Sequence, residues 1–255
     1  MKLIKTPIVF KKTMNGPLLV NQNDQWISHG MENLDLINTE LKLFNLLLHE
    51  AKRLRPDLRV VIDGGANMGS WTVPLAKQHT DLTFHMFEVQ RMIYYCTCGN
   101  LALNMLTNVY ANWAGFDDRE HVIELNVPDY TSRNNYGAYE VVPPEKNSDD
   151  KILYTAQVDR VKMVTIDSLG LDPLFIKLDV EGMEWRTLQG AMRTLDRCEP
   201  VVWCERHKSD PDKVLPFFDT RGYALTSLIE GHWTFIPPWL QINNMKNVTD
   251  ILLSR

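Results

Sequence analysis

The 255-residue chain has no run of 18 or more apolar residues, so no membrane-spanning helix is expected. Its opening, Met1-Lys2-Leu3-Ile4-Lys5, is interrupted by Thr6, Pro7 and the Lys11-Lys12 pair before a secretory apolar core could form, and a cytoplasmic location is expected. Cysteine is sparse. Cys96, Cys98, Cys198 and Cys204 lack C-x-x-C spacing and lie in apolar or helical stretches, which argues against disulfides and a structural zinc. Basic residues never gather into a long run and the formal net charge is −5, so nucleic acid is not expected as a partner. No G-x-x-x-x-G-K-[ST] motif occurs, which argues against a nucleoside-triphosphate site. Repeats, low-complexity tracts and long linkers are also missing.

What the chain does have is 44% hydrophobic residues, enough for a full core. From residue 60 onward, short apolar runs alternate with amphipathic stretches, the pattern of an α/β protein whose parallel strands are covered by helices on both faces. Strands are expected at 60–62, 83–87, 108–112, 174–178 and 201–204, and helices at 70–78, 93–106 and 184–195. Ser209-Asp210-Pro211-Asp212 is a capping start for a further helix ending near Phe218. A last strand pair is expected at 222–228 and 233–236. The stretch 120–166 breaks the rhythm; 121–127, 136–142 and 157–166 read as added strands in an excursion over the sheet edge. Residues 1–55 read as an arm and a helix, the latter at 39–54, packed on a single unit of 56–255.

The sharpest local signal is Val60-Val61-Ile62-Asp63-Gly64-Gly65-Ala66-Asn67-Met68-Gly69, an apolar strand entering a glycine-rich turn and then a helix. Such a turn lets a ligand reach backbone atoms that any side chain would block. Glu88 closes the second strand 25 residues after Asp63, where a carboxylate can accept both hydroxyls of an adenosine ribose. Those two features suit a dinucleotide as well as S-adenosylmethionine, and charge separates the two. Asp63 would repel a diphosphate, whereas the sulfonium and ammonium of S-adenosylmethionine favour a nearby acid. Ala66 also replaces the middle glycine of G-x-G-x-x-G. A methyltransferase is therefore expected ahead of a nicotinamide-dependent oxidoreductase. Asn112 and Trp113, with Ala114, are placed to flank an adenine, or alternatively to end the strand and fill the core. A second cluster, Ile176-Lys177-Leu178-Asp179-Val180-Glu181-Gly182-Met183-Glu184-Trp185, follows the fourth strand and brings Asp179 and Glu181 to the same cleft, while Glu184 suits a helix first turn. The fifth strand ends in Trp203-Cys204-Glu205-Arg206-His207, where Glu205 could orient an acceptor or the cofactor amino group and His207 could take a proton, or be a solvent-exposed loop residue.

Over about residues 60–236 these motifs resemble the FkbM family of methyltransferases. The likeness rests on Asp63-Gly64-Gly65-Ala66-Asn67-Met68-Gly69, Phe87-Glu88, the paired Asn100 and Asn104, and Thr165-Ile166-Asp167-Ser168-Leu169. It continues through Lys177-Leu178-Asp179-Val180-Glu181-Gly182-Met183-Glu184, Gln189-Gly190-Ala191 and Pro200-Val201-Val202-Trp203-Cys204-Glu205. Val89-Gln90 stands where the family commonly has proline, and Asn134-Asn135-Tyr136-Gly137 resembles its polar loop. The resemblance implies a Rossmann-like class I methyltransferase fold with a mostly parallel seven-stranded sheet, S-adenosylmethionine as donor, and O-methylation of a sugar, glycan or small metabolite. On that expectation Asp63, Gly64, Gly65, Ala66, Asn67, Gly69, Glu88, Asn112, Trp113 and Asp179 hold the donor. Asp179 or His207 is the base, and Glu181 and Glu205 orient the acceptor. Several acids around one cleft could instead hold Mg²⁺, which is the less favoured reading. A fold that binds donor without turnover is the non-enzymatic alternative.

Overall fold

The computed structural model describes residues 6–25, 34–141, 152–226 and 231–241, with the side chains of its first helix described from residue 39. A nine-stranded sheet forms the centre. Five parallel strands carry it: β3 (Val60–Gly64), β4 (Thr83–Glu88), β5 (Val109–Phe116), β8 (Pro173–Leu178) and β9 (Val201–Glu205). Outward from β3 the order is β4 and β5 on one side, β8 and β9 on the other. Strand order therefore reverses beside β3, and a crevice opens there at the carboxyl ends of the strands. Beyond β9, β11 (His232–Ile236) runs antiparallel and β10 (Ala224–Thr226) pairs antiparallel to it in turn. The expected excursion joins the same sheet: β7 (Tyr154–Val164) pairs parallel to β5, and β6 (His121–Pro128) antiparallel to β7. The seven strands from β10 to β5 are thus extended by two at the far edge.

Alternation along the strands divides the core. Val61, Phe84, Phe175, Val201 and Trp203 pack on the face covered by α1 (Leu34–Leu54) and α2 (Thr72–Gln78). Ile62, Phe87, Ile176, Leu178 and Val202 pack on the other face, against α4 (Glu184–Gln189), α5 (Met192–Cys198) and α6 (Pro211–Asp219). α3 (Arg91–Leu103) follows β4, and α7 (Pro238–Gln241) follows β11. Asp210 caps α6 by accepting from the Asp212 amide at 3.2 Å, with Pro211 at the first helical position. A separate hairpin, β1 (Ile8–Thr13) and β2 (Gly16–Asn21), is fastened to α3 by Asn100 of the helix and Asn104 at its C-terminal cap. Asn100 Oδ1 accepts from the Leu19 amide at 2.5 Å, its Nδ2 donates to Met68 O at 2.8 Å, and Asn104 Nδ2 donates to Pro17 O at 2.7 Å.

Three expectations are corrected, besides smaller boundary shifts. β5 continues past residue 112 to Phe116, because its second half gains β7 as a partner, with Ala114, Gly115 and Phe116 opposite Lys162, Met163 and Val164. The strand expected at 136–142 does not form over its described part, 136–141, where the chain turns. Tyr136 is fully buried and its hydroxyl donates to Asp129 O and Ser132 O at 2.9 and 2.5 Å, so the loop closes on itself rather than entering the sheet. The helix expected at 184–195 is broken into α4 and α5 at Gly190, where a Cβ would lie 2.2 Å from Asp117 O. Smaller boundary shifts put the start of α2 at Thr72 and α3 at Arg91–Leu103; residues 227 and 228 of the expected penultimate strand lie outside the described residues.

Candidate functional site

A cavity of about 640 Å³ lies across the carboxyl ends of β3, β4, β5, β8 and β9. Its floor is the turn after β3. Gly65 has φ +71, and a Cβ there would stand 1.8 Å from Asp179 O, so the β3 and β8 loops touch backbone to backbone and no other residue fits. Gly65 and Ala66 amides donate to Phe87 O at 3.1 and 3.0 Å, and the Asp179 amide donates to Gly64 O at 3.1 Å, which binds the ends of β3, β4 and β8 into one platform. Asn67, also left-handed at φ 49, accepts from Thr97 through its carbonyl at 2.5 Å.

Glu88 projects from the end of β4 into this cavity and is only 6% exposed. Its Oε2 accepts from the Asn67 amide at 3.0 Å and its Oε1 from the Gln90 amide at 2.8 Å, so the carboxylate is aimed while each oxygen keeps a further lone pair. Burial pushes its pKa up to about 7, against those two amides, which favour the charged form.

Asp63 does not face the cavity. It is fully buried, accepts from Thr72 Oγ1 at 2.6 Å and pairs with Lys177 Nζ at 3.1 Å. Lys177, on the buried β8, also reaches Asp179 at 3.4 Å and donates to Gly65 O at 3.3 Å. Burial alone would lower its pKa, but Asp63 and Asp179 together hold the ammonium above the ordinary lysine value. Sequence reasoning assigned the repulsion of a diphosphate to Asp63; that charge is neutralised beneath the turn, and the negative charge facing a ligand belongs to Glu88, Asp179 and their neighbours.

Asp179, Glu181, Glu205 and His207 all line the cavity. Oxygens of the three carboxylates lie within 4.8 Å of one another and could together hold a divalent cation. Glu181 has φ 53 and is gripped by Lys208, which also meets Glu140 at 2.9 Å. Burial first, and then the Glu205 charge, pushes the Glu181 pKa up to about 8. Glu205 is raised to about 7 by burial and then by Asp179, and its buried Oε2 finds no hydrogen-bond partner among the described residues. The loop carrying Asp179 and Glu181 is held from behind by Glu184, fully buried, whose two oxygens accept from the Val180 and Gly182 amides at 3.1 and 3.0 Å. His207 is exposed at the rim, and a Cβ on Gly231 would meet its Nε2 at 2.7 Å.

Of the remaining expected donor residues, Gly65, Ala66 and Asn67 line the cavity, while Gly64 and Gly69 shape the turn from outside it. Asn112 and Trp113 do not line it. Asn112 Nδ2 donates to Met86 O at 3.1 Å and Trp113 Nε1 to Val89 O at 2.9 Å; the longer β5 brings Ala114, Gly115 and Phe116 to the cavity in their place. Sequence reasoning missed Glu40 of α1, raised to about 7 by burial, and the aromatic wall of Trp71, Trp203 and His232, in which the Trp203 and His232 rings stack at 3.9 Å. Among the described residues no helix is long and apolar enough to cross a membrane.

The sequence matches one family model, described as methyltransferase FkbM domain, over residues 63–225. No curated protein sequence matches. The fold is similar to solved structures at low identity. An FkbM methyltransferase from Methylobacillus flagellatus KT aligns with TM-score 0.49 and 17% identity, over 70% of this chain and 44% of that one. TYW2 of M. jannaschii, solved with AdoMet, aligns with TM-score 0.42 and 14% identity, over 92% and 86%. A Pyrococcus abyssi tRNA (uracil-54, C5)-methyltransferase, solved with S-adenosyl-L-homocysteine, aligns with TM-score 0.43 and 10% identity, over 91% and 44%. The chain thus spans under half the length of the first of these.

Proposed function

The chain belongs to the FkbM methyltransferase family, and from that premise we propose that it transfers a methyl group from S-adenosylmethionine to a hydroxyl oxygen of a sugar, glycan or small metabolite. The observation that carries the reading is Glu88: a buried carboxylate, fixed by two backbone amides beside a left-handed glycine turn, with lone pairs left for a pair of vicinal hydroxyls. The turn at Gly65, Ala66 and Asn67 gives the donor a floor without side chains, and Asp179 stands where it can take the donor's ammonium. Ala114, Gly115 and Phe116 supply a small and apolar wall suited to a flat base.

The donor supplies an electrophilic methyl on a good leaving group, so the protein's work is alignment, exclusion of water and removal of one proton. Asp179 or His207 takes that proton, and Glu181 and Glu205 orient the acceptor hydroxyl. The paired Lys208 limits the motion of Glu181 and closes the loop of Glu140 against it. Each residue keeps to the cavity and none needs a metal, although the Asp179, Glu181 and Glu205 oxygens would suit Mg²⁺ and polarise a hydroxyl if it bound.

Calorimetry on Glu88→Ala tests the donor site: the dissociation constant for S-adenosylhomocysteine is expected to rise at least about tenfold, the loss of one good charge-assisted interaction. An unchanged constant would remove the assignment. Release of S-adenosylhomocysteine during incubation with a candidate acceptor separates an enzyme from a binding module. Turnover that survives chelation, as expected here, excludes a role for Mg²⁺.

A further inference from the structure

The cavity holds more carboxylates than the donor can use. Five carboxylates line it, Glu40, Glu88, Asp179, Glu181 and Glu205, against the two ammonium groups of Lys177 and Lys208. Neither lysine is spare, because Lys177 lies between Asp63 and Asp179 and Lys208 between Glu140 and Glu181. The donor brings a sulfonium and an ammonium against one carboxylate, a single positive charge in excess, and Glu88 is committed to neutral hydroxyls. Glu40 is left over, and Glu205, which faces the acceptor, has no cation of its own. Among the described residues neither side chain has an ion-pair partner, and Glu205 Oε2 is buried with no hydrogen bond at all, a desolvated acceptor that only a ligand or water could satisfy. The cavity wall also contains Trp71 and the stacked rings of Trp203 and His232; Trp203 already has Lys177 Nζ 5.7 Å from its ring centroid, so the wall adds apolar surface beside the acids.

We propose that the acceptor carries a protonated amine, bound between Glu40 and Glu205 along the aromatic wall, and that Glu40 is the residue that selects it. The inference rests on the methyltransferase reading above and narrows its substrate class. An alkylammonium, whose pKa of about 10 keeps it charged at neutral pH, has no free lone pair and so is an anchor rather than the methylated atom. A hydroxyl elsewhere on the same molecule is left to react. A phosphate or carboxylate placed there would meet two acceptor groups and is disfavoured. Glu40 comes from α1, outside the 63–225 span that the family model matches, so this preference belongs to the chain's own N-terminal helix.

The test is calorimetry on the full chain saturated with S-adenosylhomocysteine at pH 7. The probes are 2-aminocyclohexanol, 4-aminocyclohexanol and 6-amino-6-deoxyglucose, each beside its N-acetyl counterpart. At least one amine is expected to bind tenfold or more tightly than its acetamide, and Glu40→Gln is expected to cut that preference below threefold while leaving the S-adenosylhomocysteine constant as it was. Acetamides binding as well as the amines across the panel, no amine preferred over its acetamide, or a preference that persists in the Gln variant, each overturns the inference and leaves the methyltransferase reading standing. Failure of S-adenosylhomocysteine itself to bind overturns both, and is seen before any acceptor is added.

Discussion

Lys177 decides more about the site than any residue that sequence reasoning singled out for a role. It was legible only as a letter in Ile176-Lys177-Leu178-Asp179, a charge in a strand otherwise buried on both faces. Buried lysines persist when they are paired, and this one is paired twice while holding a carbonyl of the glycine turn. Replacing it by methionine keeps most of the volume but leaves Asp63, fully buried, with only the Thr72 hydroxyl. Removing one partner of a buried ion pair typically costs about 3–5 kcal/mol. Urea denaturation of Lys177→Met is expected to show a loss of that size, and a variant as stable as the wild type would mean that Asp63 takes up a proton at little cost. The acids at the strand ends, Glu88, Asp179, Glu181 and Glu205, were readable from position because parallel strands deliver their last residues to one edge. Glu40 was not, since nothing in a helix that precedes the first core strand indicates which of its polar residues turns inward.

The elements that could be read were those whose stability is local. The apolar runs of β3, β4, β8 and β9 and the Asp210 cap of α6 each carry their own reason in sequence. Those that could not be read depend on distant partners. β5 is longer than its apolar run because β7, some 48 residues on, supplies hydrogen bonds to its second half (162 − 114). The division of α4 from α5 is of the same kind: Gly190 looks like a tolerable glycine in a helical stripe, yet it is where the chain passes against Asp117. Asp117 is buried and held by Arg186 of α4 through contacts of 2.6 and 3.0 Å, so it cannot easily retreat. Gly190 has φ −79, which any residue can adopt, and Gly190→Ala would therefore raise helix propensity while forcing a methyl to 2.2 Å from a carbonyl oxygen. Overpacking of that kind costs about 1–3 kcal/mol, more than the ~1 kcal/mol that alanine gains over glycine in a helix. The variant is expected to be less stable in a thermal melt. Stabilisation would show that the α4–α5 junction can slide away from β5.

Taken together, the carboxylates around the cavity make folding and function pull in opposite directions, and pH reveals the conflict. Glu40, Glu88, Glu184 and Glu205 are raised to about 7 and Glu181 to about 8, burial being the first cause in every case. In the unfolded chain these groups lose their protons near 4.5, so between about pH 5 and 8 the folded protein binds more protons than the unfolded one. Stability therefore falls as pH rises through that range, the reverse of a carboxylate lowered by a salt bridge. Opposing groups exist. His79 is lowered to about 4 and His85 is lowered as well, both by burial, and each adds stability as pH rises, but only up to its unfolded value of 6.5. Lys177 and Lys208, the cations facing the cluster, are raised and stay charged throughout. Between pH 6.5 and 8.5 the carboxylates dominate, and the buried thiols of Cys96, Cys198 and Cys204, raised by burial, act with the same sign near the top of that window. Without ligand, the melting temperature is expected to fall across it, by about 2–4 °C for each kcal/mol of stability lost in a chain of this size. Glu205→Gln, which removes one ionising group while keeping its shape, is expected to flatten the slope. A melting temperature that holds steady or climbs from pH 6.5 to 8.5 would mean that these acids are already ionised in the folded chain, and that the cavity is more open to water than its geometry indicates.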